Sequence, residues 1–253
     1  MIAATSQEVE ALRTGGKILG DALRMLAEIT KPGVTTAQLD VAAEEYIRAH
    51  GAESAFLGYK PEGNTTPFPA VLCVSVNDEV VHGIPSEERV LSEGDIVSLD
   101  FGLTYQGLFV DAAVTVVLSE TDSVANKLIA ATRDATYAGI AAARMGNRIG
   151  DIGAAVEAVA RKQQLTIVED LGGHATGRSL HEKPFIPNEG PAGTGEKIVE
   201  GMVLAIEPML CEGKGAIVLS GDNWTYLMRD GSRAAHFEHT ILVTKDGPEI
   251  LTK

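Results

Sequence analysis

Residues 93–118, with the sequence EGDIVSLDFGLTYQGLFVDAAVTVVL, constrain the fold more strongly than any other stretch of the chain. Two apolar, β-branched runs flank the polar turn 104–107, a pattern that predicts a β-hairpin. Counting outward from the middle of that turn places Asp100 directly opposite Asp111 on the paired strands. Opposed residues have Cβ atoms about 5 Å apart, and the apolar neighbours of both aspartates indicate strands buried on both faces.

Two buried carboxylates this close to each other need a positive charge between them, because bare charges are costly to bury. A pair of divalent metal ions, about 3.5–4 Å apart, would fit between Asp100 and Asp111. The alternative is a solvated hairpin whose aspartates face water, as charged side chains usually do. The rest of the chain favours the metal pair.

The composition describes an ordinary globular protein. The chain has 253 residues, of which 45% are hydrophobic and 22% charged, so that it can bury a sizeable core. A formal net charge of −14 without any basic run argues against a nucleic-acid partner. The two cysteines form no CxxC motif, which favours a reducing cytoplasm over disulfides. Without a signal-peptide pattern or an apolar run of membrane-spanning length, we expect no membrane association.

An internal repeat links the two ends of the chain. Segment 93–101, EGDIVSLDF, matches segment 200–208, EGMVLAIEP, in residue type, and Asp100 falls on Glu207. Each segment would be a strand that carries one acidic side chain toward the same region. The repeat therefore predicts that the chain is duplicated and that the acids of both copies converge.

The segments upstream of these strands also correspond. TTAQLDVAAEEY, from residue 35, resembles NRIGDIGAAVEA, from residue 147, which places a helix before the strands in each half. We predict an α+β fold with antiparallel sheets flanked by helices around a pseudo-twofold axis. The single domain, 1–253, would consist of two fused half-repeats, roughly 1–118 and 119–253.

Other local signals place helices and strands along the chain. Capping-box pairs predict two helices in the first half. The Ala-rich stretch 123–144 and the amphipathic segment from Asp151 to about Gln163 predict two more in the second half. Two late segments, GMVLAIEPML and AAHFEHTILVT, each predict one strand; they carry Glu207 and Glu238. His174 and His181 lie seven residues apart, so a regular strand would place them on opposite faces. The chain must bend between these histidines if both serve one site.

Five side chains form a candidate metal site, comprising four carboxylates and one imidazole: Asp100, Asp111, His174, Glu207 and Glu238. An oxygen-rich ligand set of this kind is typical of an octahedral-like site for Mn, Fe, Co or Zn, and not of a structural zinc site, which is rich in thiolate. Two divalent ions would cancel the four negative charges, which would otherwise raise the pKa of each acid. A two-metal centre also supplies a nucleophilic water at neutral pH, so the set indicates hydrolase chemistry.

Five motifs, in this order, resemble the type I methionine aminopeptidases: HGIP from residue 82, LDFG…VDAAVT, GHATG…HEKP, AIEPML and FEHT. The resemblance runs from the first helix, through KPGVTT, to the C-terminal strand. It implies the pita-bread fold, an internally duplicated α+β domain with a dinuclear metal centre. It also implies co-translational removal of the initiator methionine from nascent proteins whose second residue is small.

The resemblance assigns roles to the metal ligands. Asp100 would chelate one ion, Asp111 and Glu238 would bridge both ions, and His174 with Glu207 would complete the second. The ions would be Co, Mn, Fe or Zn.

The resemblance also assigns residues to the substrate. His82 would lie beside the substrate's amino end, His181 would hydrogen-bond the scissile carbonyl, and Glu207 would shuttle a proton. The methionine pocket would be lined by Tyr59, Phe68, Cys73, Leu180 and Trp224. Asn77 matches a position near a monovalent cation in some members of the family.

Three functions remain as alternatives: a methionine aminopeptidase, an Xaa-Pro peptidase of the same fold, or a binding module that has lost its metal. The complete ligand set and Trp224 favour the first. The loop between Tyr59 and Phe68 is longer than in the common bacterial pattern. The expected partners are the N-termini of nascent polypeptides, a monomer is expected, and a transient ribosome contact is left open.

Overall fold

Four helices are found in the part of the chain that the computed structural model describes, namely residues 1–61, 66–119 and 122–253. They are α1 (Ser6–Ile29), α2 (Thr36–Ala49), α3 (Ser123–Ala142) and α4 (Ile149–Gln163). Capping boxes open α1 at Thr5 and α2 at Thr35, as the sequence predicts. None of the described helices is long and apolar enough to cross a membrane.

Fifteen strands are described in the same ranges, and every strand pair in them is antiparallel. The strands are β1 (Glu53–Ser54), β2 (Leu72–Val76), β3 (Glu79–Val81), β4 (Ile96–Tyr105), β5 (Leu108–Val117), β6 (Thr166–Ile167), β7 (Gly172–Ala175), β8 (Glu182–Pro187), β9 (Val203–Ile206), β10 (Met209–Cys211), β11 (Ile217–Leu219), β12 (Tyr226–Met228), β13 (Ala234–His236), β14 (Glu238–Thr244) and β15 (Gly247–Ile250).

The main sheet joins the two halves of the chain. Its strand order is β1-β4-β5-β14-β9-β7-β8, with β2 paired to β4 and β15 paired to β14. In each half two helices precede the central strands, and the halves meet where β5 pairs with β14. Helix α1 packs on β4 and β5, whereas α3 and α4 pack on each other and on strands of the second half. This is the duplicated α+β arrangement that the sequence predicts; the boundary between half-repeats near residue 118 stays a prediction.

The hairpin of β4 and β5 differs from the prediction in its register. Its turn is the two-residue pair Gln106-Gly107, both with positive φ, as a type I′ turn requires. Consequently Asp100 pairs with Ala113, and Asp111 pairs with Gly102. The predicted direct opposition of the two aspartates is therefore wrong by two residues.

The two aspartates nevertheless share one face, because a shift of two positions preserves the side of the strand. They are diagonal neighbours rather than opposed ones. Asp100 is 7% exposed and Asp111 is 4% exposed, so the solvated-hairpin alternative is wrong.

Two predicted strands are each broken in the structure. The segment with Glu207 divides into β9 and β10 at Glu207-Pro208, and the segment with Glu238 divides into β13 and β14 at Phe237. Proline lacks the N–H that a continuous ladder needs, which accounts for the first break. β9 and β14 belong to the main sheet, whereas β10 and β13 belong to a small one. The same register holds on both sides of the breaks, so Glu207 and Glu238 occupy facing positions at this bend.

Candidate metal centre

All twelve side chains that the sequence predicts for the active site line one cavity of about 130 Å³. They are Tyr59, Phe68, Cys73, His82, Asp100, Asp111, His174, Leu180, His181, Glu207, Trp224 and Glu238. Phe56 and Pro61 also contribute to its wall. Residues 62–65 of the longer loop lie outside the described residues.

The acidic side chains reach this cavity from both halves of the main sheet. Asp100 and Asp111 come from the buried hairpin of β4 and β5. Glu207 follows β9, and Glu238 begins β14, at the bend between the large and the small sheet. The fold therefore brings four acids together although they are far apart in sequence.

Potential ligand atoms form two clusters that share Glu238. In the first, atoms of Asp111, His174 and Glu238 all lie within 4.8 Å of one another. In the second, the same holds for Glu207, His236 and Glu238. The clusters are also linked directly, because His174 Nε2 is 3.3 Å from Glu207 Oε1.

Asp100 lies beside these clusters rather than within either of them. Its carboxylate accepts a hydrogen bond from the thiol of Cys73, which pairs with it across β2 and β4. Burial, together with the nearby carboxylate of Asp111, raises the pKa of Asp100 well above its ordinary value. The two aspartates thus interact electrostatically, as expected of neighbouring acids in one pocket.

Several polar atoms in and beside this cavity have no hydrogen-bond partner within the described part of the chain. They include Oδ1 of Asp100 and of Asp111, Oε1 of Glu238, and both ring nitrogens of His236. Buried polar groups are normally paired, so such a concentration requires an explanation. Bound divalent cations would satisfy these atoms and offset the charge, and the donor set fits such ions.

The titration behaviour of the acids supports the same interpretation. Burial raises the pKa of Asp111 to about 7. Burial is the largest cause that raises the pKa of Glu207 well above its usual range, and the charges of Asp111 and Asp100 add to it. The pKa of Glu238 is likewise raised well above its usual range, first by burial and then by the charge of Asp111. The cavity by itself disfavours four ionised acids, whereas a cation would stabilise them in the ionised form.

Burial holds the neighbouring histidines in the neutral form, which is the form that binds metal. It lowers the pKa of His174 to about 3 and that of His82 to about 4, with the charge of His181 contributing to both. The pKa of His236 also falls to about 3, through burial and then His82.

His181 lies at the exposed mouth of the cavity, next to His174. The ring centroids of the two histidines are 4.4 Å apart, so the predicted bend between them is confirmed. The chain turns back between these histidines because β7 and β8 are consecutive antiparallel strands, and their pairing is irregular directly after His174. His181 Nδ1 is 2.6 Å from the hydroxyl oxygen of Tyr59, which leaves Nε2 of His181 for other partners.

An apolar recess adjoins the polar centre. The rings of Phe68 and Trp224 meet edge to face with centroids 5.2 Å apart, and both side chains are buried. Leu180, Cys73 and Phe56 belong to the same hydrophobic cluster. The cavity as a whole, about 130 Å³, is close in size to an apolar cavity of about 150 Å³ that accommodates a benzene molecule.

Asn77 does not line this cavity in the described structure. Its side chain donates to Asp95 and accepts from the backbone N–H of Ile96, at 2.8 and 3.0 Å. The monovalent cation at Asn77 stays a prediction.

His236 was missed at the level of sequence. It precedes Glu238 by two residues in HFEH, and the strand alternation would have placed both on one face. That signal was available; the FEHT motif drew attention to Glu238 alone.

Comparisons with known proteins agree with this geometry. Residues 10–245 match the family model described as metallopeptidase family M24. A protein from Aquifex aeolicus named methionine aminopeptidase is 44% identical over 252 residues, covering 98% of this chain and 97% of that protein. The crystal structure of methionine aminopeptidase from Thermotoga maritima superimposes with a TM-score of 0.95 at 42% identity, and all of both chains is covered.

More distant structures share the fold alone. The Xaa-Pro dipeptidase from Bacillus anthracis superimposes with a TM-score of 0.78 at 22% identity, covering all of this chain and 62% of that one. This likeness extends the pita-bread architecture beyond the closer relatives. From the family match and the full-length similarity, the chain belongs to metallopeptidase family M24.

Proposed function

We propose that this protein is a methionine aminopeptidase, which hydrolyses the peptide bond after an N-terminal methionine when the second residue is small. The observation that carries the proposal is the junction of two surfaces in one cavity. A cluster of buried acids and imidazoles lies against an apolar recess that is closed by Phe68 and Trp224. An aminopeptidase needs both surfaces, since the scissile bond lies one residue from the chain end.

The polar surface would hold two divalent ions. Asp100 and Asp111 would bind one ion, His174 and Glu207 the other, and Asp111 with Glu238 would bridge them. Such a pair lowers the pKa of bound water and polarises a carbonyl group. The support is the shared position of Glu238 in both ligand clusters and the unpartnered carboxylate oxygens. The ions would be Co, Mn, Fe or Zn.

The remaining polar side chains would act on the substrate directly. Tyr59 would donate its hydroxyl proton to Nδ1 of His181, which fixes the other ring nitrogen as the donor toward the cavity. His181 would then donate to the scissile carbonyl oxygen as negative charge develops there. Glu207 would accept a proton and pass it to the departing amine. His82, which contacts Trp224, would lie beside the substrate's amino group.

The apolar recess would select methionine. Phe68, Cys73, Leu180 and Trp224 offer a narrow surface that suits an unbranched, polarizable thioether. A side chain branched near the backbone would collide with the aromatic wall. The second substrate residue would meet the crowded mouth near His82 and His181, so that only small residues pass.

The setting of the reaction is part of the same proposal. The substrates would be the N-termini of nascent polypeptides in the cytoplasm, processed co-translationally by a monomer, with any ribosome contact transient. Residues 1–253 would act as one catalytic domain of two half-repeats.

A peptide panel tests the proposed specificity. Met-Ala-Ser and its norleucine analogue should be cleaved within a factor of about 10 of each other, because a small apolar change is worth only about 1–3 kcal/mol. Leu-Ala-Ser and Met-Lys-Ser should be poor substrates. Elemental analysis of the gently purified protein would accompany the panel. Preferential cleavage of Xaa-Pro peptides, or efficient removal of leucine, would exclude the methionine-pocket interpretation.

A further inference from the structure

His236 is a buried imidazole without a conventional role in the fold. It ends β13, its side chain is 1% exposed, and neither ring nitrogen has a hydrogen-bond partner within the described residues. A buried ring with two unsatisfied nitrogens is costly, and native structures rarely keep one without a purpose. The position of the ring indicates what that purpose is.

The ring points at the acids of the metal centre. Nε2 of His236 lies 3.6 Å from Oε2 of Glu207 and 4.0 Å from Oε2 of Glu238. These separations exceed an ordinary hydrogen bond. They match the spacing of ligands around one ion, because metal–ligand bonds of about 2.0–2.2 Å place adjacent ligands about 3 Å apart and opposite ligands about 4 Å apart.

Glu207 consequently stands between two imidazoles. Its Oε1 faces Nε2 of His174 at 3.3 Å, and its Oε2 faces Nε2 of His236 at 3.6 Å. The backbone fixes this arrangement, since His236 pairs with Met209 while Glu207 faces Glu238 at the adjoining bend.

His239, which follows Glu238, provides an internal contrast. Its Nδ1 hydrogen-bonds the hydroxyl of Thr252 at 2.9 Å, and its ring lies 5.8 Å from that of Tyr137. His239 therefore has a hydrogen-bond partner inside the protein, whereas neither ring nitrogen of His236 has one among the described residues and its Nε2 faces the acids. Two histidines three residues apart thus have different environments on the same segment.

We propose that His236 is a further metal ligand, whose Nε2 binds the ion held by Glu207 and Glu238. The inference rests on the proposed metal centre and adds a sixth protein ligand to the five that the motifs imply. A second imidazole would increase the preference of that site for Co, Zn or Fe over Mn, because nitrogen donors suit the former better.

The test compares His236→Gln with the matched control His239→Gln. Metal-free proteins would be titrated calorimetrically with Co²⁺, and X-ray absorption at the cobalt edge would count bound imidazoles. We expect His236→Gln to weaken one of two binding events at least 10-fold and to leave the other unchanged. The number of imidazoles per protein should fall from two to one. The control should retain the affinities and the imidazole count of the unsubstituted protein.

An unchanged affinity and imidazole count in folded His236→Gln would overturn the inference. If circular dichroism shows that this variant does not fold, cadmium-113 resonance of ¹⁵N-histidine-labelled protein decides instead. Coupling of cadmium to two imidazoles, in the unsubstituted protein and in His181→Ala, supports the proposal, whereas coupling to one overturns it.

Failure of the inference is distinguishable from failure of the proposed function. An unsubstituted protein that binds two ions and cleaves Met-Ala-Ser, but in which His236 is not a ligand, refutes only the inference. A protein that binds no divalent ion refutes both.

Discussion

Glu238 is the residue on which the metal centre depends most, because it belongs to both ligand clusters. We expect Glu238→Ala to lose bound metal and all measurable cleavage of Met-Ala-Ser. Glu200→Ala is a suitable control, since Glu200 is exposed and forms an ion pair with Lys245 at the surface. Elemental analysis and a peptide assay measure the two effects. Full-rate cleavage by Glu238→Ala at moderate metal concentration would refute the assignment.

The hydrogen bond between Tyr59 and His181 gives a second prediction for single residues. His181→Ala should keep its metal and lose about 10²–10³ in kcat, the usual cost of one oxyanion donor. Tyr59→Phe should lower kcat less, by about 10-fold. His181 remains in this variant, but the 2.6 Å hydrogen bond from Tyr59 that orients its ring is lost. Steady-state kinetics with metal analysis separates these roles. Loss of metal in His181→Ala would mean that this histidine is itself a ligand.

The central hairpin shows which features of a pair of strands can be predicted from sequence. Its burial and the shared face of Asp100 and Asp111 follow from the apolar pattern, whatever the turn. The register of the hairpin does not follow from that pattern, because it depends on whether two or four residues form the turn. The structure places positive φ at Gln106 and Gly107, which composition alone does not specify.

The breaks between β9 and β10 and between β13 and β14 could not be predicted from the sequence for a related reason. Pro208 marks a discontinuity, but the transfer of β10 and β13 to another sheet depends on their partners elsewhere in the chain. Strand alternation in HFEH indicates that His236 and Glu238 share one face, but the approach of His236 to Glu207 depends on this bend. Local patterns therefore predicted the helices and the acids that meet in the cavity, whereas the geometry at the bend required the tertiary structure.

Two glycines of the hairpin give a paired prediction. A Cβ at Gly102 would lie 2.5 Å from the ring of Phe56, which lines the cavity, whereas a Cβ at Gly107 would have nothing within 4 Å. Gly102→Ala should therefore displace Phe56 and raise KM for methionine peptides. Gly107→Ala should leave KM unchanged but destabilise the fold by about 1–2 kcal/mol, because its φ is +78°. Kinetics and denaturant unfolding of both variants measure these effects; equal KM changes would contradict the argument.

At the scale of the whole molecule, the duplicated sheet concentrates acids at the place where its halves meet. β5 pairs with β14 there, and Asp111 and Glu238 lie on these two strands. The chain already carries a formal net charge of −14. Bound cations would therefore stabilise the junction of the halves as well as serve catalysis.

Chelation should consequently lower the stability of the entire fold. Ions that bind only the folded chain stabilise it by about 2.7 kcal/mol at a hundredfold excess over Kd. For a chain of this size, that free energy corresponds to a rise in Tm of roughly 5–10 °C. Calorimetric melting with saturating Co²⁺ and after complete chelation measures the difference. Glu238→Ala should show little of this shift, because it lacks the ligand shared by both clusters. An unchanged Tm in the unsubstituted protein, with metal removal verified by elemental analysis, would show that the acids do not converge on a common ion, since unscreened carboxylates in one buried cavity must repel each other.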